Sequence, residues 1–169
     1  MLTTGVAGDL VALGIFKYAG FFAATARSGS IAEGYNCDAM VRNFERDAVG
    51  LIENNPAVTF DIYFAPYSIL HFVAMRDASP ATLKIADDFT AYAFPRLLQF
   101  PNVRLHDFRD VKEVTHDLGN YGDVIHHSPA IDLKVLSWLA ERKYIVDRAK
   151  PLASLERLKA QVKAYKLKP

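Results

Sequence analysis

Asp123-Val124-Ile125-His126 sets a carboxylate three residues ahead of an imidazole. In a tight loop or a single helical turn, that spacing brings the carboxylate within hydrogen-bond reach of a ring nitrogen. There it fixes the tautomer and stabilises the imidazolium that a general base becomes. Asp-x-x-His alone is a weak pattern, and a solvated loop produces it as well. His127 follows directly and is either a second reactive imidazole or a packing residue. The surrounding stretch is rich in the same chemistry: His106, His116, His126 and His127, four of the five histidines, are interleaved with Asp107, Asp110, Asp117 and Asp123. Imidazole and carboxylate also suit a zinc-like ion, so His106, His116, Asp117, Asp123, His126 and His127 form an alternative ligand set, although their spacing follows no compact metal motif. No organic cofactor is expected.

Elements must carry these groups to one place. Val6 to Ala24 reads as an apolar helix and Arg27 to Gly34 as a Gly- and Ser-containing loop, giving an N-terminal segment over residues 1–35. Residues 36–169 form the second unit. A helix starting at Asn36 or Asp38, both good N-caps, shows apolar residues at Met40, Phe44, Val49 and Ile52, and Asn54-Asn55-Pro56 stops it. Ala57 to Phe64, rich in β-branched and aromatic residues, predicts a buried strand. Ile69 to Arg76 and Pro80 to Gln99 predict two helices, the second kinked or ended by Pro95. Val103 to Phe108 predicts another strand, Val111 to Ser128 an irregular polar stretch, and Pro129 to Lys143 a helix with Ile131, Val135, Trp138 and Leu139 on one face. A last helix from Leu152 carries Leu155, Leu158, Val162 and Tyr165. Met40, Phe44, Phe89, Tyr92 and Trp138 are expected in the core. Strands separated by helices predict an α/β fold with a parallel sheet, and two strands make only part of one. In such sheets functional groups gather where strands end, which selects Ala65 to Ser68 and Arg109 to Ser128.

With 169 residues, 51% of them hydrophobic and 23% charged, the chain has the size of one domain and can bury roughly 70% of its unfolded surface. A net charge of +1 argues against a nucleic-acid binder driven by bulk electrostatics. The average hides a split: residues 142–169 hold nine basic and two acidic residues, +7, and the remainder is −6. The basic terminal helix is either a solvated face or a surface for anionic membranes, and in neither case is it expected to serve the chemistry. Cys37, the single cysteine, excludes an internal disulfide framework and a multi-cysteine zinc site. Asp9 and Lys17 interrupt the apolar N-terminal run, so a buried or partner-facing helix is expected there rather than a signal peptide or membrane span.

Tyr121-Gly122-Asp123-Val124-Ile125-His126-His127-Ser128-Pro129-Ala130-Ile131, taken with Phe64-Ala65-Pro66-Tyr67-Ser68 and Ile52-Glu53-Asn54-Asn55-Pro56, resembles the C-terminal half of a bacterial SGNH-hydrolase-like family. Its members carry a Phe-Pro-Pro-Tyr-Ser loop after a central strand and a Tyr-x-Asp-x-x-His-Tyr-Ser-Pro-x-Ile-Asn block near the end. The likeness runs from about Asp38 to Lys143 and extends, more distantly, to lipase-like and acyl-transfer proteins of the cell envelope. It implies a partial flavodoxin-like, three-layer SGNH arrangement, His126 as catalytic base, Asp123 as its orienting acid, and Tyr67, Ser68, Tyr121 and His127 lining the site. It further implies a carbohydrate or other small-molecule ester as substrate and a cell-envelope setting. Ala65, His127 and Asp132 depart from the family's proline, aromatic and asparagine and leave the Asp-His pair intact.

The nucleophile is another matter. SGNH enzymes place their serine in a Gly-x-Ser block after a first strand, and no such block precedes Asp38. Gly8-Asp9-Leu10 lacks the serine, Ser28 and Ser30 sit in the linker, and Ser128 reads as a helix N-cap. Two functions of different kinds remain beside the metal alternative. One is an ester hydrolase or acyltransferase using Asp123 and His126. The other is a non-catalytic module that buries the open half of a sheet by forming a homo-oligomer.

Overall fold

The computed structural model describes residues 36–166, so the expected N-terminal helix and linker lie outside the described residues. Asn36 caps α1 (Cys37–Phe44) by accepting the Ala39 amide at 2.7 Å. The helix passes through a π-helical turn (Glu45–Val49) into α2 (Gly50–Glu53). β1 (Phe60–Phe64) is followed by α3 (Ile69–Ala78) and α4 (Pro80–Leu97), then β2 (Val103–Asp107). A short α5 (Lys112–Thr115) and a 3-10 turn (Leu118–Asn120) precede α6 (Pro129–Ala140) and α7 (Ala153–Ala164). The protein is thus α/β, with a two-stranded parallel sheet flanked by helices. No helix among the described residues is long and apolar enough to cross a membrane.

Register explains the two faces of the sheet. Phe60 pairs with Val103, Ile62 with Leu105 and Phe64 with Asp107, so these side chains share the face that packs on Ile52, Phe94 and Leu97. Asp61, Tyr63, Arg104 and His106 alternate onto the other face. Asp61 and Tyr63 are exposed, which corrects the expectation of a buried strand beginning at Ala57: β1 starts at Phe60, and its alternate residues Phe60, Ile62 and Phe64 are only half-buried. The outer edge of β2 is covered. Val146 donates to the Leu105 carbonyl, and Asp107 donates to that of Tyr144, laying residues 144–146 antiparallel along the strand.

The reversal that brings residues 144–146 there is a Schellman ending of α6. Lys143 N donates to Trp138 O at 2.8 Å and Arg142 N to Leu139 O at 3.2 Å. Arg142 holds φ 56°, the left-handed position usually given to glycine. Arg142→Gly removes the Cβ strain there and is expected to stabilise the protein by about 0.5–1 kcal/mol in chemical denaturation, after the entropy that glycine gains in the unfolded chain.

Pro95 does not end α4 at its own position but lies two residues before the helix's last. It lies in the last turn, where it forfeits a single backbone bond, and Phe94 and Leu97 on either side are fully buried. Phe44, Phe89 and Tyr92 meet edge-on where α1 crosses α4, at 5.6 and 6.3 Å between centroids, but Tyr92 is 40% exposed, so this contact is a half-open seam and not the expected core. α3 is the most deeply buried helix, with Ile69 to Met75 all inaccessible.

Burial there extends to His71, whose ring stands edge-on to Tyr67 and Phe72. Burial pushes its pKa down from 6.5 to about 4, so the folded protein keeps it neutral where the unfolded chain binds a proton. Its contribution is full above the unfolded value and is lost as pH falls from about 6.5 toward 4. The loss approaches 3 kcal/mol at about 1.4 kcal/mol per unit. Urea denaturation across that range should show His71→Leu removing a loss of this size from the pH dependence. An unchanged slope would refute the assignment.

Candidate functional site

The Asp123–His126 loop is built locally. Asp123 Oδ1 accepts the backbone amides of Ile125 and His126 at 2.8 and 2.7 Å, closing a turn on its own side chain. Gly122 N donates to His126 O at 2.9 Å, Ser128 N donates to Asn120 O at 2.7 Å, and Tyr121 and His127 form an antiparallel bridge across the neck of the loop. Val124, fully buried against α3 and α7, anchors it. With Oδ1 so held, Oδ2 lies 2.6 Å from His126 Nδ1.

A carboxylate only accepts, so Nδ1 carries the proton and Nε2 presents its lone pair. The His126 side chain is 80% exposed, and Nε2 has no partner among the described residues. Burial pushes the Asp123 carboxyl up, but the bonds from the His126 amide, the His126 ring and the Ile125 amide more than offset this. It titrates below the usual carboxylate range and stays charged beside the imidazole. The pair named from spacing is therefore joined in space, an imidazole oriented by a carboxylate.

The four residues expected to line the site each make contacts within the two loops and α3 or α6. Tyr121 is buried, and its hydroxyl donates to Pro66 O at 2.5 Å, tying the Asp-His loop to the loop after β1. Burial raises that phenol, so it remains a donor. Tyr67 packs beside Val124 and Ile125, on the same cluster, and so brings the two strand-following loops together as expected. Ser68 is fully buried and caps α3, its Oγ accepting the Leu70 amide at 3.2 Å, so it is no exposed hydroxyl. His127 turns inward, its Nδ1 3.4 Å from Asp132 and its ring edge-on to Tyr121. Ser128 occupies the N-cap position of α6, as expected, without a side-chain capping bond.

The metal alternative loses its geometry. Among the described residues no three His, Cys, Asp or Glu side chains converge to hold an ion. His106 is fully buried with Nδ1 on the Lys143 carbonyl at 2.7 Å, and His116 stands against Tyr165.

Sequence reasoning missed a buried ionic cluster at the carboxyl end of β2. Arg109 grips Asp107 with two bonds of 2.8 Å, its third nitrogen donates to Thr90 Oγ1 at 3.0 Å, and Ser154 donates to Asp107 Oδ2 at 2.8 Å. The guanidinium carbon lies 4.6 Å from the Phe64 ring centroid and 5.3 Å from that of Phe94. Asp107 and Ser154 also face a cavity of about 240 Å³ lined by Asp110, Tyr144, Lys150 and Arg157. Arg157 holds Asp110 at 2.5 Å, and Arg148 donates to the carbonyls of Leu98, Phe100 and Val103. Part of the terminal positive charge thus fastens α7 and the segment before it to the sheet. The partners lie far apart in sequence, and no local pattern signals them. Compared with family models, curated proteins and solved structures, the chain matches none of them.

Proposed function

We propose that this protein is an SGNH-type ester hydrolase or acyltransferase acting on small-molecule or carbohydrate esters of the cell envelope, with His126 as its base and Asp123 as the acid that orients it. Support comes from one observation above all: the 2.6 Å contact from His126 Nδ1 to Asp123, with the carboxylate held by two backbone amides and Nε2 left to solvent. On this reading the two-stranded parallel sheet is part of a flavodoxin-like SGNH core, and the loops after β1 and β2 meet at its carboxyl end as such folds require.

In this mechanism Nε2 takes the proton of an attacking serine hydroxyl as the acyl–enzyme bond forms, then returns it to the leaving alkoxide. In the second half it takes a proton from water or an acceptor alcohol, which attacks the acyl group and frees the serine. Ser68, Ser79, Ser137 and Ser154 have engaged hydroxyls, and Ser128 holds the α6 N-cap position without a side-chain capping bond, so the proposal assigns no nucleophile among residues 36–166. A fluorophosphonate probe followed by peptide mapping tests it on the full chain. The expected result is an adduct on one serine which disappears in a folded His126→Ala variant. No adduct, or one indifferent to His126, would overturn the proposal.

A further inference from the structure

The two edges of the sheet are treated differently. Residues 144–146 cover the edge of β2, whereas the edge of β1 carries no described strand. Phe60 N donates to Asn102 O, and Phe108 N donates to Phe64 O, so by the alternation of a parallel ladder Phe60, Ile62 and Phe64 turn both backbone groups toward β2. Asp61 and Tyr63 therefore turn their N–H and C=O groups to the open edge. β1 contains no proline, lysine or bulge to guard it, and its one charge, Asp61, is paired with Arg104. Tyr63 in the strand and Val58 just before it are each 48% exposed.

We infer that β1 pairs antiparallel with β1 of a second copy of this chain about a twofold axis at Ile62, giving a four-stranded sheet across a homodimer. The register follows from charge and hydrogen bonding. Centred on Ile62, each Asp61 faces the partner's Tyr63, and these two residues exchange both backbone bonds, four in all. Centred on Asp61, two carboxylates would face each other. Centred on Tyr63, the ladder would need the Ala65 carbonyl, which already accepts the Tyr67 amide at 2.9 Å. In the Ile62 register the half-buried Phe60, Ile62 and Phe64 meet their counterparts on one face, extending the apolar layer over α4. Asp61 is already neutralised by the Arg104 guanidinium, so the pairing leaves no bare charge at the seam.

Sedimentation equilibrium of the full chain tests this, with a mass of twice 18.8 kDa expected. Tyr63→Pro removes an outward N–H that β2 does not use and should weaken the dimer at least tenfold while circular dichroism stays native. Ile62 forms the non-hydrogen-bonded pair on the axis, where side chains approach most closely. In a Cys37→Ser background, Ile62→Cys is therefore expected to cross-link to itself on mild oxidation, and Asp61→Cys and Tyr63→Cys are not. A monomer at all concentrations, as when residues 1–35 or another protein take the edge, would overturn the inference. So would a dimer indifferent to Tyr63→Pro, or cross-linking at Asp61→Cys in place of Ile62→Cys.

Discussion

His126→Ala is expected to lower kcat/KM for an activated short-chain ester by about 10³- to 10⁴-fold, with the fold intact. The imidazole is 80% exposed, and its side-chain bond is to Asp123, so truncation removes the base without opening the core. Asp123→Asn should cost somewhat less, on the order of 10²- to 10⁴-fold, for a different reason. An amide can donate as well as accept, so it no longer enforces the Nδ1–H tautomer or stabilises the imidazolium. The adjacent His127 provides the control: it faces inward toward Tyr121 and Asp132, and His127→Gln should change kcat/KM by less than about tenfold. Equal losses at His126 and His127 would mean that the base has been misassigned.

The largest effect on stability belongs to Arg109. Arg109→Met is expected to destabilise the protein by about 3–5 kcal/mol, because Asp107, 2% exposed, loses its guanidinium partner and is left with the residue 109 backbone amide and the Ser154 hydroxyl. For a chain of this size that is a fall in Tm of roughly 10–20 °C by calorimetry. Arg109→Lys should recover only part of the loss, since an ammonium cannot make the two parallel bonds to Asp107 while reaching Thr90 and stacking on Phe64. In an Asp107→Asn background the same Arg109→Met change should cost much less, the mark of an orphaned charge as opposed to lost packing. A loss below about 1 kcal/mol for Arg109→Met alone would contradict this account.

Local features were legible in the sequence and distant ones were not. The cap at Asn36, the N-cap position of Ser128, the α7 stripe Leu155, Leu158 and Val162, and the Asp-x-x-His spacing are all local and can be read from the chain directly. The parallel pairing of β1 with β2 followed from the helices between them. Pro95 marked the end of α4 to within two residues, since the helix closes at Leu97. Tyr121 and Ser68 sit in the motif-bearing loops, yet one ties them together and the other caps a helix. Residue type alone does not separate a tying or capping hydroxyl from a reactive one. The Arg109 cluster joins residues 90, 107, 109 and 154, and the covering of β2 depends on left-handed backbone at Arg142 and Tyr144, where no glycine announces it.

The proposed chemistry requires Asp123 to hold His126 with its proton on Nδ1 and its lone pair on Nε2. Long-range ¹H–¹⁵N correlation of the full chain, at a pH where the imidazole is neutral, measures this directly. The predicted result is an Nδ1–H tautomer for His126 in the wild type and a mixture of both tautomers in Asp123→Asn. A wild-type His126 protonated on Nε2, or one whose tautomer is indifferent to Asp123, would contradict it.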